Sequence, residues 1–282
     1  MSSLTQAAPV DLALVRRLER SALLAVPAEQ EWEVGGWLCR WGADGRVGRV
    51  ASACVSPFGP ARADLAPVAE VAAAYAALRL PALLRLTPLA PPELVAATSP
   101  PPGRSPVAVM ARDLGATAPG RGDPEGSAAA RPPRPAAAPR PATAAAGFEV
   151  TLDADPTDAW QDAFLATHED AGTRRLALAA AAPRPRRFAA ARLGGEVAGL
   201  ALGVVAEGAL GVFDVMTAPR HRRRGVATAV VGALLAWGRE AGADVAYLQV
   251  AATNLPAAAL YARLGFGTAY TYAYSEVGRS PR

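Results

Sequence analysis

Two stretches of the chain carry periodic apolar positions, and a stretch poor in large apolar residues separates them. The second stretch reads as an ordered alternation of strands and helices. Phe148 to Leu152 predicts a short strand, and Asp155-Pro156-Thr157-Asp158 offers a cap and an early proline for a helix running to about Thr167. Another helical pattern covers Thr173 to Ala181. Apolar runs over Arg187 to Leu193 and Glu196 to Val205 flank Gly194-Gly195, which predicts a hairpin. Leu210 to Thr217 continues as a third strand. A helix over Val226 to Glu240, a strand over Val245 to Val250 and a helix near Pro256 to Leu264 follow. In the last segment, Gly267 to Val277, the alternation of Tyr270, Tyr272 and Tyr274 predicts a strand whose tyrosines share one face and pack the sheet.

The first stretch gives a shorter version of that order. A helix over Asp11 to Leu24 leads to strands at Trp32 to Trp41 and Arg46 to Val55, joined by a turn at Gly42-Ala43-Asp44-Gly45. A helix over Leu65 to Leu78 follows, then strands near Leu83 to Leu86 and Val107 to Asp113 flanking a short helix after Pro92. Hairpin, helix, strand, helix, strand is also the order of the second stretch from Arg187 onward, an echo of topology too weak in sequence to be a repeat. Between the two lie residues 116–146, rich in Ala, Pro, Arg and Gly. The core of this segment, from Arg131 to Pro141, has almost nothing large and apolar to bury, so it predicts an extended or disordered linker. A Pro-rich ligand for a recognition domain is the other reading of that composition. The chain of 282 residues thus divides into domains at 1–115 and 147–282.

Composition narrows the class. With 51% hydrophobic residues the chain is globular, and no apolar run approaches the ~18 residues that read as a membrane span. The start, Met1 to Gln6, has no basic region leading into an apolar core, so the expected compartment is the cytoplasm. Cys39 and Cys54 sit in apolar, strand-like settings and predict buried, inert thiols. The net charge of +4 raises nucleic acid as a partner. All 29 Lys and Arg positions are Arg, however; Lys and Ile are both absent, a pattern of GC-rich coding that acts on the whole chain. Only Arg220 to Arg224 form a dense cluster, and no aromatic-and-basic recognition motif accompanies it. Neither a nucleic acid nor a membrane is expected as a partner.

That cluster belongs to the run Pro219-Arg220-His221-Arg222-Arg223-Arg224-Gly225-Val226-Ala227, between a predicted strand and a predicted helix. A strand, a basic Gly-bearing turn and a helix aim backbone N–H groups and the positive end of a helix dipole at an anion, typically a phosphate. Gly225 lets the main chain approach phosphate oxygens without a Cβ, and guanidinium groups contact phosphate in bidentate fashion. A solvated basic turn at a strand–helix junction is the bland alternative.

Arg222-x-x-Gly225-x-Ala227 resembles the R/Q-x-x-G-x-G/A signature of the GNAT acetyltransferase superfamily. Downstream, Asn254-Leu255-Pro256-Ala257-Ala258-Ala259-Leu260-Tyr261-Ala262-Arg263-Leu264-Gly265-Phe266 is similar to that family's second motif, N-x-x-A-x-x-L-Y-x-x-x-G-F. The resemblance covers residues 148 to about 276. It implies an α/β (α+β) fold with a mixed, mostly antiparallel central sheet flanked by helices, in two tandem domains. It also implies acetyl-CoA as donor cosubstrate and a small-molecule or peptide amine as acceptor, joined by direct attack in a ternary complex. On the same basis Arg222, Arg223, Arg224, Gly225, Val226, Ala227 and Thr228 would hold the diphosphate. Val215, Met216 and Thr217 would line the pantetheine arm, and Asn254 would help to hold the cofactor. The strand carrying Val215 would part from its neighbour and free backbone donors for the thioester.

Tyr261 would protonate the departing thiolate; the bland reading is the buried face of a helix. Asp214, an acid in an apolar strand, is a candidate general base and equally a structural hydrogen-bonding group. His168-Glu169-Asp170 sits where the family builds its acceptor pocket, though a plain helix end accounts for it too. His221 reads as loop scaffold. No comparable motif occurs in the first stretch, where the corresponding loop is Ser56 to Arg62; it resembles a degenerate GNAT half, as in tandem members, with an unrelated α+β domain as the alternative. A non-catalytic acyl-CoA-binding or sensing module is the rival to an N-acetyltransferase.

Overall fold

The computed structural model describes residues 10–42, 51–59, 64–96, 101, 104–115, 142–143, 147–166 and 184–277. Helix α1 (Leu12–Ala25) starts at Asp11, whose carboxylate accepts the Ala13 and Leu14 N–H groups as a side-chain N-cap. Strands β1 (Gln30–Val34), β2 (Trp37–Trp41) and β3 (Cys54–Val55) form a small antiparallel sheet. Its hairpin turn is Gly35-Gly36, so the run predicted as one strand from Trp32 to Trp41 folds back on itself. Both glycines have positive φ, and a Cβ on Gly35 would lie 2.4 Å from the Cβ of Ala66. The expected turn at 42–45 lies outside the described residues beyond Gly42. Helix α2 (Val68–Ala77) buries Val71 and Tyr75 against Trp37, Leu84 and Leu86.

The main sheet continues through β4 (Leu83–Leu86), β5 (Val107–Asp113), β6 (Ala142–Thr143), β7 (Glu149–Asp153), β8 (Arg186–Leu193), β9 (Glu196–Ala206), β10 (Ala209–Thr217), β11 (Val245–Ala251) and β12 (Gly267–Glu276). The order is β4-β12-β5-β11-β10-β9-β8-β7-β6; of these neighbouring strands β10 and β11 pair in parallel and the rest antiparallel, and an isolated parallel bridge joins Ala53 to Leu84 of β4. A mixed, mostly antiparallel sheet with helices on both faces is the architecture expected from the sequence. Short α3 (Pro92–Ala96), α4 (residues 158–166, capped by the Thr157 hydroxyl), α5 (Val226–Glu240) and α6 (Leu255–Arg263) complete it. The predicted helix over 173–181 lies outside the described residues, as does the linker 116–146 apart from Ala142–Thr143, Gly147 being the next described residue.

The sheet does not stop at the predicted domain boundary. Strand β5, from the first stretch, runs antiparallel between β11 and β12, and Ala273–Glu276 of β12 pair with β4. The β11–α6–β12 crossover leaves a slot one strand wide between two parallel strands, and β5 fills it. Periodicity identifies β5 as a strand but carries no information about its neighbours.

Strand alternation splits the core between the two faces. One face carries Val230, Val231 and Leu234 of α5 with Leu248 and Val250 of β11. The other carries Val15 and Leu18 of α1, Trp160 and Phe164 of α4, and Tyr247, Tyr270, Tyr272 and Tyr274. Trp32 and Trp37 pack the small sheet. Within the second face Arg85 donates to Glu19 at 2.6 and 2.8 Å, and the Tyr270 hydroxyl donates to Glu19 at 2.5 Å; both charged groups are almost wholly buried.

Cys39 and Cys54 are free and buried. Burial pushes the Cys39 thiol up to about 12 and the Cys54 thiol up to about 11. The thiolate is the nucleophile, so at about pH 8 the native protein is expected to react negligibly with dithionitrobenzoate. Both thiols should titrate on denaturation; rapid labelling of the folded protein would contradict this.

Candidate active site

The site starts where β10 and β11 part. They pair only over Ala209–Val212 and Val245–Leu248. On the other edge of β10, Phe213 faces Leu202 and Met216 faces Leu200, so Asp214 and Val215 together oppose one residue of β9. This bulge puts Asp214 at φ +52°, a left-handed conformation that Asp tolerates better than most residues. The parting strands enclose a cavity of about 270 Å³ whose walls include Asp214, Val215, Gln249, Asn254 and Tyr261.

Tyr261 reaches that cavity from α6. The Asn254 side chain caps the helix by accepting the Ala257 N–H at 3.3 Å, and Pro256 suits its first turn. The other end turns at Gly265 and is held by Arg112 of β5, which donates to the Leu264 carbonyl at 2.7 Å. The Tyr261 ring is buried edge-on to Phe266, 6.2 Å between centroids, and desolvation raises its phenol above the ordinary tyrosine value. Gln249, which sequence reasoning missed, extends from β11. Its Oε1 accepts from the Tyr272 hydroxyl at 2.9 Å, while its Nε2 is buried without a partner among the described residues.

A larger cavity, about 710 Å³, adjoins the first and shares Asn254 and Ala257 with it. Thr217, Arg222, Arg223, Gly225, Val226, Ala227 and Thr228 border it on the loop side, and Arg263 of α6 on the other. The chain reaches α5 through a single 3-10 turn, Pro219–His221, then Arg223 at φ +63° and Gly225 at φ +86°. Gly225 is the N-cap and supplies no side-chain acceptor, so the first-turn N–H groups of α5 lack a capping side chain. A Cβ built on Gly225 meets nothing within 4 Å, so the approach to those groups is open.

The arginines divide. Arg222 and Arg223 border this cavity. The Arg224 side chain does not; its guanidinium lies 6.0 Å over the Phe148 ring and contacts His221 at 3.4 Å. Arg220 turns toward the β8–β9 hairpin and pairs with Glu196, whose carboxyl it holds below the usual range. His221 is buried beside both arginines, in keeping with a scaffold position. Val215 and Met216 border a third cavity, about 980 Å³, on the α4 side of the sheet with Asp162 and Glu196. Thr217 and Arg222 line both this cavity and the one beside α5. Asp162, Glu196, Gln249 and Arg263 carry no motif, and only the fold brings them to these walls. His168-Glu169-Asp170 lies outside the described residues.

Parting parallel strands beside an uncapped helix start, in a mostly antiparallel sheet, define a protein of the GNAT superfamily. The family model described as "Probable histone acetyltransferase Rv0428c C-terminal" matches residues 13–275, and the chain belongs to that family. A GCN5-related N-acetyltransferase from Kribbella flavida shares the fold at a TM-score of 0.62 and 19% identity, covering 94% of this chain and 96% of that one. A tandem GNAT protein from the clavulanic acid biosynthesis pathway does so at 0.57 and 15%, covering 98% and 90%. The uncharacterized N-acetyltransferase YobR of Bacillus subtilis (strain 168) is 38% identical over 68 residues, 23% of this chain and 28% of that protein. Among the described residues no helix is long and apolar enough to cross a membrane.

Proposed function

We propose that the protein transfers the acetyl group of acetyl-CoA to a primary amine by direct attack in a ternary complex. The observation that carries this reading is the continuity of the three cavities: the α5 start, the strand gap with Tyr261 and the cleft beside α4 share walls. The first-turn N–H groups of α5, with Arg222 and Arg223, suit a diphosphate. Val215 and Thr217 border the path of the pantetheine arm. Asp162 and Glu196 give the third cavity acidic walls that suit a cationic acceptor.

In the reaction the amine nitrogen attacks the thioester carbon, and the π pair moves onto oxygen. Collapse re-forms the carbonyl and sends the C–S pair to sulfur, which takes the Tyr261 proton. The nitrogen sheds its extra proton through Asp214 or solvent. The products are an amide and CoA thiol. Mixing the protein with acetyl-CoA and a panel of primary amines should release free thiol at an amine-dependent rate. Binding of acetyl-CoA without amine-dependent release across the panel would instead favour a sensing module.

Tyr261→Phe is expected to lower kcat by about 100- to 10,000-fold, the range for a positioned general acid. Acetyl-CoA affinity should stay nearly constant, because the phenol acts on the leaving sulfur. Since burial raises the phenol, the alkaline limb of the kcat profile should lie above the ordinary tyrosine value of about 10. Unchanged turnover in the variant would remove Tyr261 from the mechanism.

A further inference from the structure

Gln249 is a half-buried side chain at the strand gap whose Nε2 is buried without a partner among the described residues. A buried amide N–H without an acceptor keeps its full desolvation penalty, and such a group needs an explanation. Its orientation is set from behind. The Tyr272 hydroxyl donates to Oε1 at 2.9 Å, which leaves the Nε2 hydrogens directed elsewhere. Tyr272 is itself fixed, buried in the sheet with the Arg85 guanidinium 4.3 Å from its ring centroid. Gln249 lies one residue beyond Leu248, the last β11 residue paired with β10, so it stands where the gap opens. Asp214, Val215 and Tyr261 line the same cavity.

We infer that Gln249 Nε2 is a side-chain donor to the acyl oxygen of the thioester, supplying one hydrogen bond of an oxyanion hole. The inference rests on the acyl-CoA reading above and deepens it. As the amine nitrogen forms its bond to the carbonyl carbon, the π electrons move to oxygen, and the donor meets the charge there. The same bond weakens again when the carbonyl re-forms and the C–S pair leaves with sulfur. No proton is exchanged with Gln249. Tyr272 is the positioning residue, since it acts only through the amide orientation.

A donor aimed at developing charge lowers kcat when removed by about 100- to 1000-fold and hardly changes ground-state binding. Gln249→Leu and Gln249→Glu are therefore each expected to lose kcat on that scale with acetyl-CoA KM near the parent value. The glutamate variant keeps the shape and the Tyr272 contact but presents no donor at neutral pH. Tyr272→Phe should lower kcat less, again without raising KM. A readout independent of turnover is the infrared stretch of acetyl-CoA labelled with carbon-13 at the thioester carbonyl. Bound to the full-length parent protein, it should shift to lower frequency than when bound to either Gln249 variant. Equal frequencies, or an unchanged kcat, would overturn the role of Gln249 alone. Failure of the parent protein to bind acetyl-CoA at all would overturn the functional reading together with this one.

Discussion

Gly225→Glu is expected to abolish acetyl-CoA binding while leaving the protein folded. The position has φ +86° and lies at the open mouth of the larger cavity, where an added Cβ touches nothing within 4 Å. Two effects of substitution therefore separate. Left-handed backbone strain alone costs about 1–2 kcal/mol, and Gly225→Ala should report that part as a modest loss. The glutamate adds a carboxylate at the start of α5, where the helix dipole favours it and the uncapped N–H groups donate to it as an internal anion. The side chain then occupies the diphosphate position and repels that group. Like charges brought together cost several kcal/mol, more than about 100-fold in affinity. Calorimetry should detect no acetyl-CoA binding to Gly225→Glu and weakened binding to Gly225→Ala. Retained affinity in the glutamate variant would remove the loop from the site.

The largest effect on stability is expected at Arg85. Arg85→Met leaves the Glu19 carboxylate buried with the Tyr270 hydroxyl as its hydrogen-bond donor. Breaking one side of a buried pair costs about 3–5 kcal/mol. For a protein of this size that is a fall in Tm of about 6–20 °C. The group joins α1 and β4, before the linker, to β12 after it, so the loss falls on contacts between the two stretches. Replacing both charges with methionine should recover most of the loss, because the desolvation penalty of the pair disappears as well. Asp244→Asn, at the half-exposed pair with Arg17, is the control; it should change stability by no more than about 1 kcal/mol. Equal Tm values for the Arg85 variant and the parent protein would show that the pair adds nothing net.

Most element positions were legible in the sequence because the signals are local. The bounds of α5 follow from a glycine before its apolar period, and those of β8 and β9 from Gly194-Gly195 between apolar runs. The β1–β2 turn was misplaced because Trp32 to Trp41 reads as one apolar run. The reversal falls on Gly35-Gly36, the same dipeptide that marks the β8–β9 hairpin, so the turn signal is local and the apolar run masked it. The exchange of β5 into the later stretch was invisible because strand patterns do not name partners. At the site, the loop and Tyr261 were readable as motifs. Asp214 stood out as an acid among apolar residues, although its bulge did not. Gln249 and Arg263 carry no local signal; their places depend on where β11 leaves β10 and where α6 packs. The direction of Arg224, over Phe148 rather than into the cavity, likewise depends on tertiary packing.

A crystal structure of the protein with acetyl-CoA tests the central claim most directly. The expected result is a diphosphate on the N–H groups at the start of α5 beside Arg222 and Arg223. The thioester should lie between β10 and β11, with its sulfur within hydrogen-bond reach of the Tyr261 hydroxyl. Acetyl-CoA bound elsewhere, or bound at the loop with its thioester outside the gap between β10 and β11, would contradict it.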